Sequence, residues 1–213
     1  MMPNLVIIGA SAMGRETYRY AVEANPSVQV KGFLDSRKDI LDGYDGYPPI
    51  IGDVSTYQPG QNDVFICAVG NPDAKMEYVR AIETKGGSFT SIIHPTAYVA
   101  SSASIGIGAI IAPNASITAD TTLGSHVIVN VNASISHDCF VGTGVSISPG
   151  CHIAGWCRIA NGTFLGTGVT AIPHVTIGGN GRTLVAAGAT VTQSFGSGLI
   201  AGVPAKFKKE LCK

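Results

Sequence analysis

The apolar positions of this chain follow two different rhythms. From Val99 onward one recurs every six residues: Val99, Ile105, Ile111, Ile117, Leu123, Val129, Ile135, Val141, Ile147, Ile153, Ile159, Leu165, Ala171 and Ile177. Thirteen of these fourteen are Val, Ile or Leu, and no α-helix produces that, because steps of six drift around a surface of about 3.6 residues per turn. The residue two before each slot is small or modest: Ala97, Ala103, Ala109, Ala115 and Ala133, then Cys139, Val145, Cys151, Cys157 and Thr163. Alternate residues of a strand share one face, so both positions are expected to point inward. The pattern predicts a short strand and a turn per hexad, with three hexads closing one triangular coil. Cys139 and Cys157, three hexads apart, then stack in consecutive coils. The register breaks after Ile177 and resumes at Val185 and Val191, two residues late. Gly178-Gly179-Asn180-Gly181 is therefore expected to bulge outward, as loops near sites often do. The lysines near the end are expected to cap the exposed strand edges of the stack.

Upstream of about residue 93 the six-step is absent. Residues 5–8 form an apolar run that predicts a strand, followed by the turn Gly9-Ala10-Ser11-Ala12-Met13-Gly14. Residues 16–24 predict a helix stopped by Asn25-Pro26, and residues 28–34 a strand ending at Asp35. A third strand is predicted over 64–69, ending at Gly70-Asn71, and a second helix over 74–85, closed by Gly86-Gly87. Strand, glycine turn, helix, strand is the start of a nucleotide-binding α/β unit. Two domains are thus expected: a Rossmann-like α/β domain over 1–93, either nucleotide-binding or a purely structural cap, and a parallel β-helix of hexapeptide repeats over 94–213 with a C-terminal tail. His94-Pro95 lies at the join, where extended backbone is favoured.

Composition narrows the function. Charged residues make up only 13% of the 213 and the formal net charge is zero, which argues against a nucleic-acid binder held by phosphate contacts. Lys206, Lys208, Lys209 and Lys213 form the one basic cluster. A surface so poor in charge favours association, so an oligomer is expected. No run approaches the roughly 18–20 apolar residues of a membrane span, and the first ten residues lack the basic start of a secretory signal. Five cysteines without zinc or redox spacing read as small buried thiols in a reducing cytoplasm.

Two features carry candidate chemistry. The turn reads G-x-S-x-x-G, and its N–H groups could cradle a phosphate at the following helix N-terminus. Asp35 lies about 20 residues on, where a carboxylate can meet a ribose or base. Among the five histidines, position alone makes most of them solvated turn residues. His137 differs: Asp138 follows it directly, and Gly155, three hexads further on, leaves open space beside it in the next coil. A carboxylate beside imidazole suits a general base. There is no nucleophile elbow, no glycosidase-like carboxylate pair and no convincing metal cluster.

Taken together these motifs resemble a known family. The hexapeptide repeats are similar to those of left-handed β-helix acyltransferases. The turn at 9–14, Gly32-Phe33-Leu34-Asp35-Ser36, Ala68-Val69-Gly70-Asn71, Ile92-Ile93-His94-Pro95, Ser136-His137-Asp138-Cys139 and Ala201-Gly202-Val203-Pro204-Ala205-Lys206 resemble the bacterial sugar O-/N-acyltransferases of the PglD/NeuD type over essentially the whole chain. The resemblance implies a left-handed coil, although ordinary parallel crossovers are right-handed. It also implies a homotrimer with active sites between neighbouring β-helices, a nucleotide-linked amino sugar in the N-terminal domain, and acetyl-CoA along the β-helix groove. It implies His137 as the base with Asp138 in support. Substrate contacts would come from Ser11, Ala12, Met13, Asp35, Ser36 and Gly70, and acetyl-CoA contacts from Ser146, Gly155, Thr167 and Ala187. Three departures stand out: Ala12-Met13 where the family has Gly-His, Asp138 where close relatives carry Glu, and Ser146 where some members carry His.

The expected activity is acetyl-CoA-dependent N-acetylation of a nucleotide-linked amino sugar, with a 4-amino-4,6-dideoxyhexose as the best guess, feeding surface-glycan or O-antigen synthesis. Its rivals are sugar O-acetylation and a non-catalytic nucleotide-sugar-binding solenoid. A NAD-dependent oxidoreductase is disfavoured by the incomplete glycine turn and the short α/β unit.

Overall fold

A computed structural model describes residues 3–211. The N-terminal domain is a parallel sheet of β1 (Asn4–Ile8), β2 (Gln29–Leu34), β3 (Ile50–Gly52), β4 (Asp63–Cys67) and β5 (Ser88–Phe89), with α1 (Ala12–Ala24) and α2 (Pro72–Thr84). The strand order is β3-β2-β1-β4-β5, a doubly wound sheet whose order reverses beside β1. Ligands in such sheets bind outside the carboxyl ends of the strands at that reversal.

Both helices begin earlier than the sequence predicts, α1 at Ala12 and α2 at Pro72. In α2 the reason is plain: Pro72 stands in the first turn, and the Asn71 side chain accepts hydrogen bonds from the Asp73 and Ala74 N–H groups. The pattern missed β3 and β5, which are too short to show a period of their own. In the turn at 9–14, Gly9 has φ +90°, and a Cβ on Gly14 would lie 2.0 Å from the Gly9 carbonyl oxygen. The outer glycines are thus obligatory, and the middle position tolerates Ser11.

The remainder is a left-handed parallel β-helix with three walls. The first holds Ile92–Ile93, Ile110–Ile111, Ile128–Val129, Ser146–Ile147, Thr163–Leu165 and Thr183–Val185. The second includes Tyr98–Val99, Ser134–Ile135 and His152–Ile153, and the third Ser104–Ile105, Phe140–Val141 and Arg158–Ile159. Rungs pair one coil of three hexads apart, as Ser134 with His152 and Phe140 with Arg158. The six-step residues and those two before them form one buried core, with Cys139 and Cys157 stacked in it. The offset lengthens by two where Leu165 pairs with Val185, the two-residue insertion expected around Gly178. Ile92–Ile93 already pairs with Ile110–Ile111, so the first strand of the β-helix lies immediately before His94. At the far end Lys206–Lys209 pairs antiparallel with Gly198–Ala201 and covers the open edge of the first wall.

From residue 108 to residue 174 the corners turn through a left-handed residue every six positions: Gly108, Asn114, Asp120, His126, Asn132, Asp138, Gly144, Gly150, Trp156, Gly162, Gly168 and His174, with φ between 56° and 76°. Gly, Asn and Asp adopt this conformation most readily, and they fill most of these places.

The N-terminal domain sits on the outer face of the first wall. Tyr20 and Ala21 of α1 pack with Ile92, Ile110 and Ile128. His94, buried at the join, meets Glu23 of α1 through Nε2 at 2.6 Å. From α2, Met76 reaches Gly144. Lys75 is completely buried, and its Nζ donates to Ser146 Oγ at 2.8 Å and to the Val145 carbonyl at 3.2 Å.

Candidate functional site

The first candidate region lies at the carboxyl ends of β1, β2 and β4. A cleft of about 220 Å³ is lined by Gly9, Ser11, Asp35, Ser36, Arg37, Asp53 and Gly70, among others, and a wider shelf of about 710 Å³ adjoins it through Asp35, Ser36 and Asp53. Ser11 is the N-cap of α1, yet its side chain makes no capping bond, so the first-turn N–H groups of α1 remain open to an anion. The first turn of α2, by contrast, is closed by Asn71.

Asp35 is held on all sides. Its Oδ2 accepts from the Ala10 N–H at 3.0 Å and from Arg37 Nη2 at 2.9 Å, and its Oδ1 accepts from the Arg37 N–H at 3.0 Å and Nε at 2.9 Å. Burial works to raise this carboxyl, but the hydrogen bonds from Arg37 and Ala10 outweigh it and hold the group below the ordinary carboxylate range. Sequence reasoning missed Arg37; the available signal was a basic residue two places after Asp35, close enough to fold back on it. Ala12 and Met13 do not line the cleft. Ala12 is exposed in the first turn of α1, and Met13 turns toward the β-helix, its sulfur 3.9 Å from Asn130 Nδ2. Both residues nonetheless contribute backbone N–H groups to the open first turn of α1, so a substrate contact there would run through the main chain.

The second region is the edge where the second wall turns into the third. His137 Nδ1 lies 2.8 Å from Asp138 Oδ2. Asp138 occupies the left-handed corner, a place that suits Asp. A Cβ on Gly155 would lie 2.6 Å from His137 Cε1 and 2.8 Å from Nε2, so the imidazole rests on bare backbone of the next coil and only glycine fits beneath it. The Trp156 ring stands at 89° to the imidazole with centroids 4.5 Å apart. Both members of the pair are about half exposed, at 47% and 42% of their side chains.

The remaining histidines divide by environment: His94 is buried at the join, and His126 also departs from the expected solvated turn. His126 is buried against Phe89, its Nδ1 without a partner and Nε2 3.9 Å from Glu83. Burial, reinforced by the Lys75 charge, pushes its pKa down to about 4. His152 is exposed and bonded to Ser134. His174 stacks on Trp156.

The four residues expected at acetyl-CoA do not come together in one protomer. Ser146 is buried under α2, in the seam between the domains, with its hydroxyl engaged by Lys75. Gly155 lies on the edge between the second and third walls, whereas Thr167 and Ala187 are exposed on the edge between the first and second. Asn130, beside Met13, is on that same first-to-second edge. The second wall separates it from His137.

Known proteins match this geometry. Residues 4–82 match the family model of the PglD N-terminal domain, and residues 89–195 that of the GMPPB C-terminal domain. A UDP-N-acetylbacillosamine N-acetyltransferase from Bacillus subtilis (strain 168) is 30% identical over 113 residues, 51% of this chain and 51% of that protein; the match thus spans about half the length of this curated relative. The acetyltransferase domain of PglB from Neisseria gonorrhoeae FA1090 superposes with a TM-score of 0.86 at 30% identity, over 95% of this chain and 98% of that one. PerB from Caulobacter crescentus, solved in complex with CoA and GDP-perosamine, superposes with a TM-score of 0.87 at 28% identity, over 98% of this chain and 99% of that one. With both of its domains matched in order and the solved acetyltransferases covered almost end to end, the chain belongs to the PglD-type sugar acyltransferases.

Proposed function

We propose that this protein transfers the acetyl group of acetyl-CoA to the amine of a nucleotide-linked amino sugar, with His137 as general base. The observation that carries the reading is the His137–Asp138 pair, half exposed over a glycine floor. Asp138 on Nδ1 leaves Nε2 as the nitrogen that takes the proton. The sugar amine attacks the thioester carbonyl carbon, and its surplus proton passes to Nε2. The tetrahedral intermediate then collapses, the C–S bond breaks, and the departing CoA thiolate recovers a proton. Asp138 supports the imidazolium that forms between these events. Nothing in this sequence of steps needs a metal or a covalent enzyme intermediate.

The cleft at Ser11, Asp35, Ser36 and Gly70 suits the nucleotide, with the diphosphate at the open N-terminus of α1. Asp35, already saturated by Arg37 and Ala10, orders this rim, and the Arg37 guanidinium is the charge it presents. The division of the parts between two edges supports a site formed between chains: the cleft and the Thr167–Ala187 edge of one protomer, with His137 and Gly155 of another. A homotrimer of β-helices meets that requirement, and the product would enter surface-glycan synthesis. The likeness to PerB and PglB supports the same substrate class.

The test is release of CoA thiol from acetyl-CoA in the presence of UDP-, dTDP- and GDP-linked 4-amino sugars. Turnover with at least one, and N-acetylated product by mass spectrometry, is expected. No turnover with any of them, alongside measurable binding, would favour the non-catalytic solenoid.

A further inference from the structure

Resting on the assignment of His137 as base, we propose that Trp156 is the positioning residue for that base: with His174 behind it, it fixes the imidazole over Gly155 with Nε2 facing the substrate. Three independent observations meet at this residue. The first is its backbone. Trp156 has φ +58°, a conformation that a bulky side chain adopts only against a steric cost, and such costs persist where function holds them. Asp120 and Asp138 occupy the equivalent corners of the two preceding coils, so a residue suited to this backbone is the norm along the edge.

The second is its company. Trp156 stands edge-to-face with His137 at 4.5 Å, and lies flat against His174 at 4.8 Å with the ring planes 6° apart. His137, Trp156 and His174 therefore form a ladder of three rings along one edge of the β-helix. The titratable groups beside the base are Asp138 on its own corner and His174 beyond the indole. Asp138 fixes only one nitrogen of the imidazole, and Gly155 has no side chain to stop the ring from swinging about χ1. The indole supplies that stop, and His174 keeps the indole from tilting away.

The third is exposure. Trp156 is 49% exposed, so the indole stands on the same open edge as the half-exposed imidazole it touches. This indole is also the single tryptophan of the protein.

The proposal separates stability from turnover. Asn fits the left-handed corner better than Trp, so Trp156→Asn is expected to fold and to melt no lower than the parent protein. It is expected to lower kcat about tenfold or more while leaving KM for acetyl-CoA within about twofold. Trp156→Phe, which keeps a ring at the corner, is expected to recover most of the lost kcat, and His174→Ala to lose less than Trp156→Asn. In NMR spectra the His137 Cε1–H signal, displaced by the indole ring current, is expected to move in Trp156→Asn. A Trp156→Asn enzyme with parental kcat and an unmoved His137 signal would overturn the positioning role while leaving the base intact. Parental turnover in His137→Ala would instead overturn the base assignment itself, so the two failures are distinguishable.

Discussion

Lys75 and Ser146 lie 71 residues apart in the chain, yet the Lys75 ammonium sits 2.8 Å from the Ser146 hydroxyl in a fully buried seam between α2 and the first wall. A lysine out of reach of water holds its charge poorly, and burial pushes its pKa down to about 7. Ser146 and the Val145 carbonyl are the partners that make the group tolerable there. Ser146→Ala removes one of them and leaves a buried amine partly unsatisfied, so a loss of about 1–3 kcal/mol in unfolding free energy is expected. KM for acetyl-CoA is expected to stay unchanged, because the hydroxyl faces the seam. A variant with unaltered stability and a weakened acetyl-CoA KM would instead support Ser146 as an acetyl-CoA contact.

The same lysine has a signature in pH. Unfolded, it keeps its proton up to about 10.5; folded, it releases it near 7. Between these values the unfolded chain binds more protons, so unfolding free energy is expected to rise with pH from 7 to about 8.5, by at most about 1.4 kcal/mol per unit. Above pH 9 the buried thiol of Cys67, pushed up to about 12 by burial, works in the opposite sense. Lys75→Met is expected to flatten the rise in urea titrations at pH 7 and 8.5.

His126 acts in the acid range. Its folded pKa lies near 4 against an ordinary 6.5, so it stays neutral while the unfolded chain takes up a proton. Stability is expected to fall as pH drops from 6.5 toward 4, by up to about 3 kcal/mol in total. His126→Asn keeps a residue suited to φ 58° and removes the titration, so its melting temperature is expected to change less between pH 6.5 and 4.5 than that of the parent protein.

These buried groups mark the limit of what the hexad pattern made legible. A period of six reports which side chains face the coil axis, and the core slots, the three-hexad rungs and the two-residue slip near Gly178 all follow from it. It is silent about the outer face. Ser146 and His126 occupy ordinary outward or corner positions, and only the docking of α2 and Phe89 turns them into buried ones. The motif Ser136-His137-Asp138 identified the pair, and Gly155 was visible one coil further on. Trp156 was passed over because an indole at a corner has no meaning until His137 and His174 are seen beside it. In the α/β half, Asp35 stood out at its strand end, whereas Arg37 became visible only once its guanidinium was found on that carboxylate.

His137→Ala is expected to lower kcat by about 10²–10⁴ without unfolding the protein, since no core residue is lost. Asp138→Asn is expected to cost less, because it weakens support for the imidazolium without removing the base. His152→Ala, exposed on the second wall and bonded only to Ser134, serves as the control and is expected to stay within a few-fold of the parent rate. Steady-state kinetics at saturating acetyl-CoA measures all three. Greater damage from His152→Ala than from His137→Ala would mean that the base is misassigned.

The arrangement of the two edges makes the last prediction. Gly70 lines the nucleotide cleft and has open space where a Cβ would go, so Gly70→Phe is expected to fill the cleft without disturbing the fold and to abolish sugar-nucleotide turnover. The second wall stands between the Met13–Asn130 contact and the His137 edge of the same protomer. On the proposed site between chains, a nucleotide-linked sugar bound at one chain's cleft would meet the base of a neighbour. Gly70→Phe protomers retain a good base, and His137→Ala protomers retain a good cleft. Co-expressed as a random mixture in a closed ring, about one quarter of the sites pair a good cleft with a good base. Two crippled variants are thus expected to regain about a quarter of the parental activity once mixed, although neither keeps more than about 1% alone. A site built within one protomer gives no recovery at any ratio, because every chain then carries a defect in its own site. Measured activity against mixing ratio, with the oligomer's mass determined by light scattering on the same samples, decides between the two arrangements.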